Sequence, residues 1–313
     1  MLAVVFERNG GADVLEPTDV PDPSPAEGQV LIDVHAVGVN YRDVYEREGR
    51  GYGSSPPAII GVEGAGTVAE SGERVAWVGV AGSYAQRVAA DPAALVPVPD
   101  GITSETAAAA LLQGMTAHYL ASDSYPVQEG DWVVIHAGAG GVGLLLTQLA
   151  KLRGGRVIAT TSTADKAELA RSAGADEVIG YDGFAQRVRE VTGGAGAAAV
   201  YDGIGRTTFL DGLGALRPTG SMILYGAASG QPEPFELARL AAAGSLYVQR
   251  PIINTYIRTP ALLRERAAQL FALIAAGRLG ARIGGRYPLA QARRAHEDLE
   301  ARRTTGKLLL IPE

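Results

Sequence analysis

The segment from Trp132 to Gly155 limits what this chain can fold into more than any other stretch. An apolar run, WVVI, leads through His136 into Gly138-Ala139-Gly140-Gly141-Val142-Gly143, and then into LLLTQLAKLRGG, which has helical length and ends in glycines. Strand, glycine turn and helix in that order open a βαβ unit. The spacing G-x-G-x-x-G is that of a loop whose backbone N–H groups approach a pyrophosphate at a helix N-terminus. A side chain there would stand between backbone and phosphate. The rhythm continues downstream through RVIATT, TADKAELARSAGA, DEVIGY, FAQRVREVTGG, AAAVYDGIG, TTFLDGLGALRP and GSMILYGAASG. Strands alternating with helices over short connections predict a parallel sheet covered by helices.

Residues 1–118 lack this rhythm and read as short strands broken by glycine, serine and proline. QVLIDVHAVGVN alternates, with Val30, Ile32, Val34 and Ala36 on one face, as a half-buried strand does. NYRDVYEREG follows as a short helix, with Asn40 as N-cap, Asp43 three residues on and Gly49 as its stop. GAGTVAES, ERVAWVG, SYAQRVAA and ALVPVPD supply further strands, a density that points to a compact β-rich domain. In the tail, ALLRERAAQLFALIAAGRL and RYPLAQARRAHEDLEARR read as amphipathic helices and GKLLLIP as a closing strand. The expected fold class is α/β: a β-rich domain, an inserted doubly wound parallel-sheet domain, and a tail that can return to the first.

The end of the second strand of the inserted domain decides what the glycine loop binds. A fold specific for NAD places Asp or Glu about 20 residues past the glycines, to hold the ribose hydroxyls. Here the stretch is Ala159-Thr160-Thr161-Ser162-Thr163, with no acid before Asp165, and Lys166 follows. Hydroxyls and a cation suit a 2′-phosphate, which a carboxylate would repel. NADPH is therefore the expected cofactor. Gly138, Gly140, Gly141, Val142 and Gly143 would hold its pyrophosphate, and Ser162, Thr163 and Lys166 its adenosine end. Ser162 or Thr163 also suits the N-cap of the following helix.

Composition removes several alternatives. A net charge of −6 and a pI near 5.4 argue against a nucleic-acid or anionic-membrane binder. With no cysteine there is no disulfide, thiolate metal site or cysteine nucleophile. The start, MLAVVFERNGG, has no signal-peptide pattern, and no apolar run reaches the length of about 20 residues that a membrane span needs, so a cytoplasmic protein is expected. His35, His118, His136 and His296 lack metal-ligand spacing, and His136 has no apparent acid partner and reads as structural. Gly306-Lys307 is followed by leucine and is not a P-loop.

Taken in order along nearly the whole chain, GVNYRDVYEREG, GVEGAG, LLQGMTAHYL, HAGAGGVG, VYDGIG, GSLYVQRP and YPLAQARRAHEDLEAR resemble the zinc-free quinone oxidoreductase (zeta-crystallin-like) branch of the medium-chain dehydrogenase/reductase superfamily. The resemblance implies a GroES-like catalytic domain formed by 1–118 with 258–313, a Rossmann domain over 119–257, and a cofactor in the cleft. It also implies residue roles. Lys166 and Tyr181 would flank the 2′-phosphate, and Arg303 would help hold the cofactor from the other domain. Asn40 and Tyr45 would line the nicotinamide and substrate region, with Tyr52, Gln113 and Thr116 near them. Related alcohol dehydrogenases hold a catalytic zinc through Cys, His and a further Cys or acid. Where such an enzyme has Gly-His-Glu, this chain reads Gly61-Val62-Glu63. One carboxylate is not a zinc site, since zinc needs at least three protein ligands, so Glu63 is expected in an internal ion pair or hydrogen bond.

Without a Lewis acid, the expected reaction is hydride transfer from NADPH to a quinone, an intrinsically good acceptor, with Asn40 and Tyr45 bonding the carbonyl oxygen that gains charge. Two other readings stay open. One is an NADPH-dependent enone or enoyl-thioester reductase on the same scaffold. The other is a noncatalytic NADPH-binding crystallin-like or RNA-binding protein, which the acidic balance weakens. SLYVQRPIINTY is apolar and β-rich. As an uncovered sheet edge it would invite pairing, and together with the resemblance it implies a homodimer.

Overall fold

A computed structural model describes residues 1–51 and 55–312. They form two units, Met1–Gln113 with Ile257–Glu313, and Gly114–Tyr256. The first unit begins with β1 (Leu2–Phe6), β2 (Glu16–Asp19), β3 (Val30–Val39), β4 (Ala58–Ile59), β5 (Glu63–Val68), β6 (Arg74–Val78), β7 (Arg87–Ala90) and β8 (Leu95–Pro97). In β3 buried and more open residues alternate from Ile32 to Ala36, after which every position through Val39 is buried. The alternating side chains feed a core that includes Phe6, Ile32, Trp77 and Tyr84. Helix α1 (Tyr41–Arg47) starts at Asn40, whose backbone N–H donates to the Asp43 carboxylate at 2.9 Å, the returning half of a capping box. Past its end Gly49 takes a φ of 72°, the left-handed conformation that glycine adopts at no steric cost.

The strand-rich reading of 1–118 missed helix α2 (Ser104–Tyr119). Its signals were present. Thr103 accepts from the Thr106 N–H at 3.1 Å, and the alanine-rich run that follows has high helix propensity.

In the second unit β9 (Trp132–Ile135), α3 (Gly141–Leu152), β10 (Arg156–Thr160), α4 (Ala164–Ser172), β11 (Glu177–Ile179), β12 (Ala197–Asp202), β13 (Leu216–Leu224) and β14 (Tyr247–Gln249) follow in turn. The sheet has the order β11-β10-β9-β12-β13-β14, parallel throughout. This is the order 3-2-1-4-5-6 of the Rossmann fold, in which ligands lie beyond the strand ends where the winding reverses, here between β9 and β12. Every residue of β12 is buried, as befits a central parallel strand covered on both faces. The stretch TTFLDGLGALRP, read as helix to its end, divides: the helix is Phe209–Ala215, and Leu216-Arg217-Pro218 already belong to β13.

The chain then re-enters the first unit, where β15 (Ile283–Pro288) and β16 (Lys307–Ile311) complete the sheet β15-β16-β3-β5-β6-β8, with β7 also paired to β3. Arg286-Tyr287-Pro288, read as the start of a helix, lie in β15, and the helix is confined to Ala292–Glu300. Parallel pairing with β16 claims that backbone. Two strand registers gather polar residues at one end of this sheet. Leu308 faces Val39 and Leu309 faces Gly38, while Val37 faces Gly64. Lys307, Gly38, Asn40 and Glu63 are thereby brought to one end of three neighbouring strands. Gly38 has to be glycine, because a Cβ there would overlap the Glu63 carboxylate and lie 2.7 Å from Lys307 Cε.

Two histidines are buried in the neutral form. His136 has Nδ1 2.9 Å from the Thr160 hydroxyl and its ring edge-on to Phe184, and burial pushes its pKa down to about 3. His296, 3.0 Å from the Tyr84 hydroxyl through Nε2, is likewise held to about 3 by burial and by Arg47. The ordinary histidine value is 6.5. As pH falls below it the unfolded chain binds these protons first, so the stability present above about 6.5 drains away toward about 3. Asp43 acts with the opposite sign: burial raises its carboxyl from 3.8 to about 6, so the native state protonates first and gains as pH falls through that window. Each imidazole is shifted further than the carboxyl, and there are two. The melting temperature is therefore expected to fall on acidification below neutrality, and His136→Gln to shrink that fall, as read by thermal melts across pH. An unchanged pH slope in the variant would refute the assignment.

Candidate active site

At the strand ends of the first unit lies a buried polar network. The Lys307 ammonium donates to Glu63 Oε2 at 2.5 Å, to Asn40 Oδ1 at 2.8 Å and to Gln113 Oε1 at 2.9 Å. Lys307 is 2% exposed and Glu63 fully buried. The other carboxylate oxygen of Glu63 accepts from the Leu112 N–H at 2.8 Å. Asn40 donates to Glu63 Oε2 at 3.1 Å and to the Gly38 carbonyl at 2.9 Å, and its oxygen also accepts from Gln113 Nε2 at 2.7 Å. Burial pushes the Lys307 ammonium below the ordinary lysine range, and Glu63, by charge and hydrogen bond, pushes it back up. Buried ions persist only when paired and hydrogen-bonded, and here every N–H of the ammonium has an acceptor. The expected internal ion pair of Glu63 is thus present. Its partner, Lys307, was passed over in the sequence.

This geometry changes the reading of Asn40. Both of its N–H groups are already committed to Gly38 and Glu63, so no donor remains for the substrate oxygen it was expected to bond. Tyr45, on α1, is 8% exposed, with its ring 6.0 Å from that of Tyr41 and the Arg50 guanidinium 5.2 Å from its centroid. Thr116 lies almost one turn beyond Gln113 on α2, also buried. Tyr52 lies outside the described residues. Arg303 is exposed and paired with Asp298 at 2.7 Å.

In the second unit the glycine loop joins β9 to α3, with Gly140 as the N-cap and Gly141 as the first helical residue. Gly138 packs against β10, where a Cβ would come 2.7 Å from that of Ala159. A Cβ on Gly143 would collide with the Ala137 carbonyl. The loop therefore presents bare backbone at a helix N-terminus, a setting that binds phosphate. The Tyr181 hydroxyl accepts from the Ala137 N–H at 3.1 Å, and its ring lies near-parallel to His136. Beyond the ends of β10 and β11 is a hollow lined by residues that include Thr161, Ser162, Thr163 and Gly180, with no carboxylate among them. Thr163 caps α4 by accepting from the Lys166 N–H at 3.3 Å. One further anchor escaped the sequence reading. Asp202, buried at the end of β12, accepts from the N–H groups of Ile204 and Gly205 at 2.7 and 3.0 Å and from the Thr208 hydroxyl at 2.9 Å. It fixes the turn at the switch point, and burial raises its pKa.

The donor set does not suit zinc. The chain has no cysteine, both oxygens of Glu63 are committed within the network, and among the described residues no three His, Asp or Glu side chains converge.

Residues 26–80 match the family model for the alcohol dehydrogenase GroES-like domain, and residues 141–274 that for zinc-binding dehydrogenase. A quinone oxidoreductase of Pseudomonas aeruginosa is 39% identical over 99% of both chains, and a 2-haloacrylate reductase of Burkholderia is 36% identical over 100% of this chain and 99% of its own. The Escherichia coli quinone oxidoreductase, solved complexed with NADPH, superposes with a TM-score of 0.97 at 36% identity, covering 100% of both chains. With a GroES-like domain, a Rossmann sheet and relatives of this similarity along its full length, the chain belongs to the quinone oxidoreductase branch of the medium-chain dehydrogenase/reductase superfamily.

Proposed function

We propose that the protein is an NADPH-dependent quinone reductase that works without a metal. The observation carrying this reading is the hollow beyond β10 and β11, where Ser162 and Thr163 offer hydroxyls and no carboxylate opposes a 2′-phosphate, with Lys166 in the first turn of α4. The glycine loop holds the pyrophosphate through backbone N–H groups, and the N-terminus of α3 favours its charge. Tyr181, next in the chain to Gly180 of the hollow, sets its hydroxyl on the Ala137 N–H of the loop and so links the two regions.

When bound, NADPH supplies a hydride, two electrons and a proton in one step. The quinone takes it together with a proton from water and leaves as hydroquinone, so the sum is NADPH, quinone and a proton going to NADP⁺ and hydroquinone. The protein's part is to orient the two reactants and place donors where the oxygen gains charge. Tyr45 serves that region, together with the buried polar network of Asn40 and Gln113. An activated alkene is the second reading, favoured by the likeness to a 2-haloacrylate reductase, and the choice rests on pocket shape. A second copy of the chain pairs along β14, an edge strand whose neighbourhood exposes Tyr247, Val248 and Ile252.

Stopped-flow oxidation of NADPH and NADH, each with 1,4-benzoquinone, an enone and an enoyl-CoA, tests the reading. NADPH with the quinone should be fastest, and Lys166→Ala should raise KM for NADPH by about tenfold, the loss of one charged hydrogen bond, while leaving NADH unaffected. Preference for NADH would contradict the cofactor, and preference for the enone or enoyl-CoA would move the function to the alkene reading. Light scattering at micromolar concentration should give twice the chain mass, and Val248→Lys should give one chain mass. A wild-type monomer would remove the dimer.

A further inference from the structure

The hydrogen bonds of the buried network single out one group. Lys307 donates three bonds and has none left. Asn40 donates both of its N–H groups to protein acceptors. Gln113 accepts from the ammonium through Oε1 and donates one N–H to Asn40, and its second N–H has no acceptor among the described residues. It is 8% exposed, too buried for water to solvate freely, and its carboxamide is held from both ends.

We propose that Gln113 is the catalytic hydrogen-bond donor to the acceptor's carbonyl oxygen, and that Lys307 and Glu63 are positioning residues that hold and polarise it. The proposal rests on the quinone-reductase reading and assigns within it a role that Asn40 cannot fill. The physical reason is the direction of polarisation. An ammonium bonded to an amide oxygen draws electrons from the amide nitrogen, which makes the remaining N–H a better donor, an effect that low dielectric strengthens. The donor is fixed before the oxygen gains charge, so no reorganisation is needed as the hydride arrives. Asn40 serves as the clamp. Its oxygen receives both Lys307 and Gln113, which fixes the rotation of the Gln113 amide and leaves its other N–H outward from the clamp.

Three proteins test this with NADPH and 1,4-benzoquinone: wild type, Gln113→Met, and the double variant Glu63→Gln/Lys307→Met. The double variant is used because Lys307→Met alone would strand a buried carboxylate and risk failure to fold, whereas removing both charges together is tolerated. NADPH affinity, read by quenching of protein fluorescence, reports that the nucleotide unit is intact. Gln113→Met should lose about 100-fold in kcat, the size of one oxyanion donor, with NADPH affinity unchanged. The double variant should lose about tenfold in kcat, again with NADPH affinity unchanged, because the amide remains but is neither aimed nor polarised. A purely structural role for the ion pair would lower the melting temperature and leave kcat alone. Wild-type kcat in Gln113→Met overturns the donor assignment, and wild-type kcat in a folded double variant overturns the positioning role. A wild type inert toward every acceptor overturns the functional reading itself, and this inference with it.

Discussion

Lys307 and Glu63 are two full charges removed from water and set 2.5 Å apart. Desolvation costs several kcal/mol for each ion, and mutual attraction offsets it only when the remaining donors and acceptors are also satisfied. The surroundings obey that demand. Asn40 and Gln113 complete the ammonium's bonds, the Leu112 N–H completes the carboxylate's, and Gly38 omits the side chain that would stand in the way. The condition also ties the end of the chain to its beginning, because Lys307 reaches Glu63 only when β16 has paired with β3. Two side-chain amides are thereby held still by a pair of charges that tolerates no slack.

The nucleotide unit meets a different problem with backbone. The loop that joins β9 to α3 is built on Gly138, Gly140, Gly141 and Gly143, and close packing against β10 and Ala137 forbids larger residues at Gly138 and Gly143. Asp202 does at the neighbouring turn what Asp43 does at α1: a buried carboxylate gathers N–H groups that would otherwise lie unpaired. The first unit thus uses side-chain charge for precision, and the second uses glycine for access.

The sequence disclosed these two halves unequally. The Rossmann alternation was legible because each strand and helix is written in contiguous residues, with periodicity and glycine stops that local physics enforces. Asn40 as the start of α1, and Gly49 just past its end, were legible for the same reason. Lys307 was not. Its partners lie 267, 244 and 194 residues away, and nothing local distinguishes it from a surface lysine opening a strand. Asn40 was half-read: its backbone begins the helix as foreseen, but its side chain answers to strand register, which a single sequence does not state. Helix α2 was hidden by its position, since alanine and threonine among short strands carry no strong period. Tyr287 was drawn into a strand by pairing with β16 despite its helical neighbours, a tertiary override of local pattern.

The charge state of Lys307 is the point on which the site turns, and it can be observed directly. The chain has only three lysines, Lys151, Lys166 and Lys307, so selective ¹⁵N labelling of lysine side chains gives a spectrum simple enough to assign. A buried ammonium paired with Glu63 predicts one signal with slowly exchanging protons at neutral pH, absent from the Glu63→Gln/Lys307→Met protein. A Lys307 nitrogen with the shift of a neutral amine, or an ammonium whose protons exchange as fast as those of the exposed lysines, would contradict it.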